Sequence, residues 1–286
     1  MTYWEGSVAV VTGGGAGIGR ALAIEAATRG ARVVVSDVES EAATTVADQI
    51  SAAGGRAIAV RCDITESASV EQLAADALAA FGTVNLVCAN AGVGGGGRID
   101  ETPIDDVRWI FEVNLLGTFV TLRTFAPHLQ VAAAGGQRAH VLTTGSEHSL
   151  GVPPHVGPMT AYTTTKHALL GLTDCVRRDL APSGVTASIL CPSYVGTEGW
   201  NAKRNRPARF GGPEQADPAF RERLAAIGQA AEDVANIAFD GMEAGAFVIV
   251  TNEMSRALAF ERCAEIERSF QMLDPRVTDE APSVTS

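Results

Sequence analysis

Seven short apolar runs alternate with longer stretches of helical apolar spacing along this chain of 286 residues. Parallel strands that are buried on both faces read as near-continuous apolar runs, and each crossover between them needs a helix-length connection. The alternation therefore predicts an α/β domain, a doubly wound, seven-stranded parallel sheet with helices on both faces. The predicted strands are 7–12, 31–37, 57–62, 84–89, 139–144, 185–191 and 246–251.

The helices are predicted from apolar residues that recur three and four positions apart between these strands. They are expected at 21–29, 41–53, 67–81, 104–134, 162–181 and 232–244. The alternation breaks between 197 and about 229, and a last helix is predicted from 254 to about 272, followed by a polar tail. We therefore expect one domain over 1–252, with 253–286 as a C-terminal helical extension of that same domain.

A glycine-rich turn joins the first strand to the first helix, with the spacing Thr12-Gly13-x-x-x-Gly17-x-Gly19. Glycines let the backbone turn tightly against a pyrophosphate, and a helix N-terminus offers free N–H groups and a positive dipole end. The common Gly-x-Gly-x-x-Gly fingerprint is not met in any register. The turn therefore predicts a phosphate-binding loop, with a glycine-rich turn that binds nothing as the alternative.

An acid ends the second strand, Asp37, eighteen residues beyond Gly19. A carboxylate at this point accepts hydrogen bonds from the adenosine ribose hydroxyls and repels a 2′-phosphate, which favours NAD(H) over NADP(H). No basic residue directly follows Asp37, and Ala16 occupies the loop position where a phosphate clamp could stand. The alternative is an acid that only caps the next helix.

A serine, a tyrosine and a lysine form the candidate chemical centre. Ser146 follows a predicted buried strand, and Tyr162 and Lys166 stand four residues apart at the start of a predicted helix, hence on one face. A free tyrosine ionises at about pH 10, and a nearby ammonium favours the phenolate, so the pair suits proton transfer near neutrality. Taken alone, a Tyr-x-x-x-Lys spacing is weak evidence, because two surface residues of an amphipathic helix show the same spacing.

These features share one predicted location, at or just beyond the carboxyl ends of parallel strands, where open α/β sheets bind ligands. They are Gly13–Gly19, Asp37, Asp63, Asn90–Gly92, Ser146 and Pro192. Residues without a common role would be scattered over the predicted fold, so the shared location is the strongest indication of function.

With these motifs, the chain resembles the short-chain dehydrogenase/reductase family over roughly residues 5 to 251. The matching motifs are Thr12-Gly13-x-x-x-Gly17-x-Gly19, Asn90-Ala91-Gly92, Asn114, Ser146, Tyr162-x-x-x-Lys166, and Pro192 with Thr197. The resemblance implies a Rossmann-like catalytic domain and an NAD-dependent oxidoreductase that interconverts a secondary alcohol and a ketone. An NADPH-dependent ketone reductase and a non-catalytic NAD(H)-binding sensor are the alternatives.

The resemblance also implies the roles of single residues. Tyr162 would be the general acid/base, Lys166 would lower its pKa and bind the nicotinamide ribose, and Ser146 would orient the substrate oxygen. Asn114 would hold a water that links Lys166 to solvent. The implied cofactor contacts, besides Tyr162 and Lys166, are Gly13, Gly15, Gly17, Ile18, Gly19, Asp37, Val38, Asp63, Ile64, Asn90, Ala91, Gly92, Pro192, Val195 and Thr197.

The chain departs from the family pattern at three places. Ser146 and Tyr162 are sixteen residues apart, a few more than expected, so Ser149 competes for the serine role, although it lies outside the strand. The usual Pro-Gly is Pro192-Ser193 here. The last strand leads into Thr251-Asn252-Glu253 in place of Asp-Gly-Gly, which bears on how copies of the chain assemble.

The substrate region is less sharply predicted. The segment 197–229 resembles the mobile lid of the family, and the candidate substrate contacts are His148, Val156, Tyr194 and Trp200, with Glu147 as a further polar neighbour of Ser146. A basic cluster in this segment would attract an anionic substrate, clamp the cofactor phosphates or form a solvated face. It consists of Lys203, Arg204, Arg206 and Arg209.

The net charge of −11 argues against nucleic acid or an anionic membrane surface as a partner. The five cysteines and five histidines show no ligand spacing, so neither a metal site nor a disulfide framework is predicted, and we expect reduced, mostly buried thiols. The first residues carry no basic stretch of a signal peptide, so a cytoplasmic location is expected. We expect a small-molecule alcohol or ketone as substrate, and a homodimer or homotetramer formed through helices 104–134 and 162–181.

Overall fold

The structure is a computed structural model that describes residues 2–215 and 227–273, without the side chains of 198–200. Parts of the predicted lid and of the polar tail lie outside these residues.

Seven parallel strands form one sheet with the order β3-β2-β1-β4-β5-β6-β7. The strands are β1 Val8–Thr12, β2 Arg32–Asp37, β3 Ala57–Arg61, β4 Leu86–Ala89, β5 His140–Thr144, β6 Thr186–Cys191 and β7 Val248–Val250. The order reverses between β1 and β4, where Val10 lies beside both Val34 and Val87. The predicted fold class, a Rossmann-like doubly wound sheet, is confirmed.

Helices cover both faces of the sheet. They are α1 Gly17–Thr28, α2 Ser40–Ala52, α3 Ser67–Phe81, α4 Ile104–Phe111, α5 Thr118–Ala134, α6 Thr160–Leu180, α7 Ala231–Glu243 and α8 Ser255–Gln271. Alternate residues of β1 divide between the two apolar layers because successive side chains of a strand point to opposite faces. Ala9 and Val11 pack in the layer of α1, α2 and α7, and Val8 and Val10 in the layer of α3, α5 and α6.

The predicted helix 104–134 is interrupted by a π-helical segment, Glu112–Gly117. Such segments insert an extra residue into a turn and recur at functional sites. Here it carries Asn114, whose side chain turns inward to the backbone of Val93. Its Oδ1 accepts a hydrogen bond from Val93 N at 2.7 Å, and its Nδ2 donates to the Val93 carbonyl oxygen at 3.0 Å. Apolar periodicity does not reveal such a segment, because the inward face stays apolar on both sides of it.

The C-terminal helix α8 buries few of its described residues. Ser255 and Leu258 are its buried residues, while Phe260, Ile266 and Phe270 are exposed. Three of the five cysteines are buried, as expected, but Cys175 and Cys263 are exposed on α6 and α8. In the described parts of the chain, no helix is long and apolar enough to cross a membrane.

Asn85 ties three strands together at the edge of the sheet opposite to the strand carboxyl ends. It is 3% exposed, accepts a hydrogen bond from Val8 N and donates to Gln137 Oε1 and to the Arg138 carbonyl oxygen, each at 3.0 Å. Its own backbone pairs with Val8 and His140. One side chain thus joins the starts of β1, β4 and β5.

Replacing Asn85 by alanine should leave the Val8 N–H and the Arg138 carbonyl without these partners. We expect Asn85→Ala to lower the free energy of unfolding by about 2–4 kcal/mol, measured by denaturant titration, because buried polar groups without partners are costly. The neighbouring half-buried Thr83 also donates to Gln137 Oε1, so Thr83→Ala is the control and should change stability by less than about 0.5 kcal/mol. Equal stabilities of the two variants would contradict this assignment.

Candidate active site

One cavity runs along the carboxyl ends of the central strands and gathers most of the residues singled out in the sequence. Those that line it are Gly13, Gly17, Ile18, Gly19, Asp37, Val38, Asp63, Ile64, Asn90, Ala91, Gly92, Ser146, His148, Val156, Tyr162, Lys166, Pro192, Tyr194, Val195 and Thr197. Gly15 and Asn114 lie behind its wall. The side chain of Trp200 lies outside the described part of the structure.

The glycine loop is packed so closely that side chains would not fit. A Cβ on Gly19 would lie 1.9 Å from the Gly13 carbonyl oxygen, and one on Gly13, whose φ is +62°, would lie 2.9 Å from Ala91 Cα. The N-cap residue of α1, Ala16, offers no side-chain hydrogen bond to the first turn. The N–H groups at this helix end can therefore face an anion across the loop, and the residues fit a dinucleotide pyrophosphate.

Asn90 holds the glycine loop against the ends of β4 and β5. Its Nδ2 donates to the carbonyl oxygens of Thr12 and Gly13, at 3.0 and 3.2 Å, and its Oδ1 accepts from Thr144 Oγ1 at 3.0 Å. The Thr12 hydroxyl accepts from the backbone N–H groups of Asn90 and Ala91. The side chain of Asn90 thus fixes the loop, while its backbone lines the cavity.

Asp37 is oriented by two backbone bonds at the end of β2. Its Oδ2 accepts from Gly15 N at 2.9 Å and its Oδ1 from Glu39 N at 3.0 Å. The N-cap of α2 is Glu39, so Asp37 is not the cap of that helix. Gly15 contributes by holding Asp37, which itself lines the cavity beside Val38.

Ser146, Tyr162 and Lys166 meet at the other end of the cavity. Tyr162 and Lys166 lie one turn apart on α6, and Lys166 Nζ is 5.5 Å from the centre of the Tyr162 ring and donates to the Thr144 carbonyl oxygen at 2.8 Å. The Ser146 side chain, just beyond β5, forms a hydrogen bond with the Tyr162 hydroxyl. A strand end and a helix start, sixteen residues apart in the chain, thus present three polar groups at one point.

Burial dominates the ionisation of this pair. It raises the pKa of the Tyr162 phenol; the hydrogen bond with Ser146 acts in the opposite direction, and the Glu147 carboxylate raises the pKa further. Burial also lowers the pKa of the Lys166 ammonium to about 8. The net direction for Tyr162 is opposite to the lowering expected from the sequence, because removal from water penalises the phenolate and the Lys166 ammonium donates to Thr144.

Ser149 is turned away from this centre. Its hydroxyl donates to the Lys166 carbonyl oxygen at 2.8 Å and accepts from Ser146 N at 3.2 Å. It therefore joins the turn after β5 to α6, and the hydroxyl next to Tyr162 belongs to Ser146. Asn114 approaches from behind, donating to Thr165 Oγ1 at 3.2 Å.

The remaining wall of the cavity combines polar and apolar side chains. His148 Nδ1 lies 2.7 Å from Thr163 Oγ1, its ring meets the Tyr162 ring edge-on, and burial lowers its pKa to about 4, so that its imidazole is neutral at pH 7. Trp109, Val113 and Met159 also line the cavity, although no sequence motif pointed to them. Trp109 and Val113 lie on the inward face of α4 and the π-helical segment, where a cavity wall and a core residue have the same apolar pattern.

The basic cluster of the lid segment is paired with acids from distant parts of the chain. Arg206 and Lys203 both bind Asp106, Arg204 binds Glu39, and Arg209 binds Glu112. These ion pairs count against the attraction of an anionic substrate, one of the three alternatives for this cluster, because the fold brings an acid to each cation. The cluster instead fastens residues 198–210 over the cavity.

Known proteins that resemble this chain agree with the arrangement of the site. The family model described as short chain dehydrogenase matches residues 7–208. The 1-deoxy-11-beta-hydroxypentalenate dehydrogenase of Streptomyces exfoliatus is 32% identical over 97% of this chain and 96% of its own length. The 7alpha-hydroxysteroid dehydrogenase of Escherichia coli K12 is 34% identical over 68% of this chain and 73% of its own length.

Among solved structures, a short chain dehydrogenase/reductase from Burkholderia phymatum in complex with NAD is 35% identical, with a TM-score of 0.85 over 96% of this chain and 99% of that one. With the fold, the glycine loop and the Ser146–Tyr162–Lys166 arrangement in place, this chain belongs to the short-chain dehydrogenase/reductase family of oxidoreductases, which bind a nicotinamide cofactor.

Proposed function

We propose that the protein is an NAD-dependent oxidoreductase that interconverts a secondary alcohol and a ketone, with Tyr162 as general acid/base. The observation that carries the proposal is the meeting of Ser146, Tyr162 and Lys166 at one end of a cavity whose other end is the glycine loop with Asp37. A nicotinamide dinucleotide laid along this cavity supplies or accepts the hydride.

The chain's own groups orient the substrate and move the proton. The Ser146 hydroxyl holds the substrate oxygen beside the Tyr162 hydroxyl. In the direction of reduction, the Tyr162 O–H protonates the oxygen as it gains charge; in oxidation, the phenolate removes the alcohol proton. The Lys166 ammonium stabilises that phenolate. Asn114, fixed beside Gly92 and close to Lys166, is positioned to hold a water that carries the proton onward.

The preference for NAD(H) is proposed from the charge at the adenosine end. Asp37 is held toward the cavity by two backbone bonds, and Glu39 follows two residues later. Arg204, a cation that lines this part of the cavity, is bound to Glu39. A 2′-phosphate would therefore meet a carboxylate. The NAD complex of the Burkholderia phymatum protein supports this choice over an NADPH-dependent reductase.

The substrate is proposed to be a small ring-bearing alcohol or ketone. Several relatives are named for hydroxyl groups on ring systems, a 7alpha-hydroxysteroid dehydrogenase and a probable tetrahydroxynaphthalene reductase among them. The wall formed by Trp109, Val113, Val156 and Met159 offers the apolar surface that such a ring requires. These apolar residues, with Ser146 and Tyr162 in place, favour an enzyme over a cofactor-binding sensor.

Replacement of Tyr162 by phenylalanine should remove the proton donor and leave the shape of the cavity unchanged. We expect Tyr162→Phe to lower kcat by at least about 100-fold, since general acid/base groups contribute about that much or more. NADH binding, followed by nicotinamide fluorescence, should stay within about three-fold of the wild type. Tyr194→Phe is the control, because Tyr194 lines the same cavity and should retain turnover. Undiminished turnover by Tyr162→Phe would exclude the assigned role.

Removal of the Asp37 carboxylate should relax cofactor preference. We expect Asp37→Ala to reduce the ratio of kcat/KM for NADH over NADPH by about ten-fold or more, because the 2′-phosphate no longer meets a negative charge. Glu41, an exposed acid in the first turn of α2, provides the control variant Glu41→Ala. If the two variants gave the same ratio, Asp37 would not be the ribose-binding acid.

We also infer that the chain forms a homodimer or homotetramer through α5 and the helix beside it, α6. Leu116, in the π-helical segment that precedes α5, and Phe119, in the first turn of α5, expose 59% and 50% of their surface. The double variant Leu116→Asp/Phe119→Asp should shift the mass measured by light scattering toward the monomer, since a buried carboxylate pair disrupts an apolar interface. Ile99→Asp, also exposed, is the control. A monomeric wild type would refute the inference.

A further inference from the structure

Glu147 is a buried acid at the substrate end of the cavity to which the proposed mechanism gives no part. It directly follows Ser146, begins the short 3₁₀ turn Glu147–Ser149 and is 3% exposed. Carboxylates are rarely buried to this degree without strong partners. Glu147 nevertheless lines the same cavity as Ser146 and Tyr162.

The partners of Glu147 are neutral or weakly basic side chains of the loops that wall the cavity. Its Oε2 accepts a hydrogen bond from Ser193 Oγ at 3.0 Å, and its Oε1 lies 3.2 Å from His155 Nε2. His155 in turn packs against the ring of Tyr194, whose hydroxyl donates to the His155 carbonyl oxygen. No arginine or lysine among the described residues forms an ion pair with Glu147.

Each carboxylate oxygen can accept about two hydrogen bonds, and each here has one partner from the chain. The carboxylate therefore keeps acceptor capacity after binding Ser193 and His155. A hydroxyl or amide donor of a ligand can use that capacity, but a second carboxylate cannot, because it offers no proton and the two charges repel each other.

Positive charge near Glu147 is scarce. Among the described residues that line the cavity, the lysines and arginines are Lys166 and Arg204. Arg204 is bound to Glu39 at the adenosine end, and Lys166 donates to the Thr144 carbonyl oxygen. His148 is neutral at pH 7 because burial lowers its pKa to about 4. The negative charge of Glu147 also acts on its surroundings, since it contributes, after burial, to the raised pKa values of Tyr162 and Tyr194.

We propose that the Glu147 carboxylate sets the charge selectivity of this enzyme, so that its substrates are neutral alcohols and ketones without a carboxylate or phosphate near the reacting carbon. The inference rests on the proposed oxidoreductase function and adds a substrate class to it. An anion beside the reacting carbon would approach the buried carboxylate of Glu147, where solvent screens the repulsion of like charges poorly. Glu147 is thus a specificity-determining residue and takes no part in proton transfer.

The test uses pairs of ketones that differ in one charge. 4-Oxocyclohexanecarboxamide and 4-oxocyclohexanecarboxylate form one pair, and the corresponding bicyclic decalone amide and acid form a second. Reduction by the full-length protein with NADH at pH 7 should favour the amide by about ten-fold or more in kcat/KM, with most of the difference in KM. In Glu147→Gln, kcat/KM for the carboxylates should rise until the values for amide and acid lie within about three-fold of each other, because the size of the side chain is kept and its charge is lost.

Two matched variants separate charge from structure. Glu147→Asp keeps the charge, and Ser193→Ala removes one hydrogen bond to Glu147 and leaves its charge in place, so both should retain the preference for the amide. A merely structural role would instead make the three variants lose activity toward both members of a pair alike. If Glu147→Gln does not fold, as thermal unfolding would reveal, Glu147→Ala takes its place; it also lacks the charge, so it should bring the ratio of amide to acid within about three-fold, and an unchanged ratio would count against the proposal.

The pH profile gives a second readout. The titratable groups around Tyr162 are Glu147 and His148 from the 3₁₀ turn, His155 from the loop after it, Lys166 and His167 from α6, and Tyr194 beyond β6. Since Glu147 raises the Tyr162 pKa, Glu147→Gln should move the alkaline limb of kcat/KM for the amide to lower pH.

The outcomes separate the two proposals. Equal kcat/KM for amide and carboxylate in the wild type, or an unchanged ratio in Glu147→Gln, would overturn the proposed charge selectivity. Turnover of either ketone would still support the proposed oxidoreductase function. Should no ketone of the panel be reduced, binding to the protein–NADH complex is measured by fluorescence instead. If the wild type then binds the amide more tightly than the acid, and Glu147→Gln loses this preference, the role of Glu147 is supported while the proposed reaction is not. Equal binding of amide and acid by the wild type would overturn both proposals.

Discussion

The parallel pairing of β1 with β4 is the constraint on which the rest of the structure depends. Because all seven strands run in one direction, every carboxyl end lies at the same edge of the sheet, and helices on opposite faces leave a crevice where the strand order reverses. Asn90, just beyond β4, fastens that point by binding Thr12 and Gly13 at the end of β1 and Thr144 at the end of β5. The glycine loop and Tyr162, far apart in the chain, therefore share one cavity.

Burial then determines the chemistry available in that cavity. Tyr162 and Lys166 are removed from water by the helices and loops around them, which raises the pKa of the phenol and lowers that of the ammonium to about 8. Both shifts disfavour charge, so a phenolate depends on compensation from groups that approach when ligands bind. Ser146 provides part of this compensation within the chain, and the same burial keeps His148 neutral.

Charge elsewhere in the molecule is organised by long-range pairing. The lid segment is rich in cations, yet Asp106, Glu39 and Glu112 neutralise Arg206, Arg204 and Arg209 across the cavity entrance. This leaves Glu147 as the acid at the substrate end of the cavity, among the residues that the structure describes. The sequence thus shows a local cluster of positive charge, whereas the charge at the binding site is negative. The two differ because ion pairs join residues that are close in the folded structure and not only those that are close along the chain.

The sequence by itself determined the fold class, the glycine-rich turn and the set of Ser146, Tyr162 and Lys166, because apolar periodicity and fixed spacing along one helix or turn are local properties. Tertiary structure alone decided which hydroxyl, Ser146 or Ser149, stands beside Tyr162, since both occur within one short turn of the sequence. It also decided that a π-helical segment presents Asn114, that the buried Trp109 forms part of the cavity wall, and that distant acids pair with the basic cluster. These outcomes depend on contacts between residues far apart in the chain, and no local pattern encodes them.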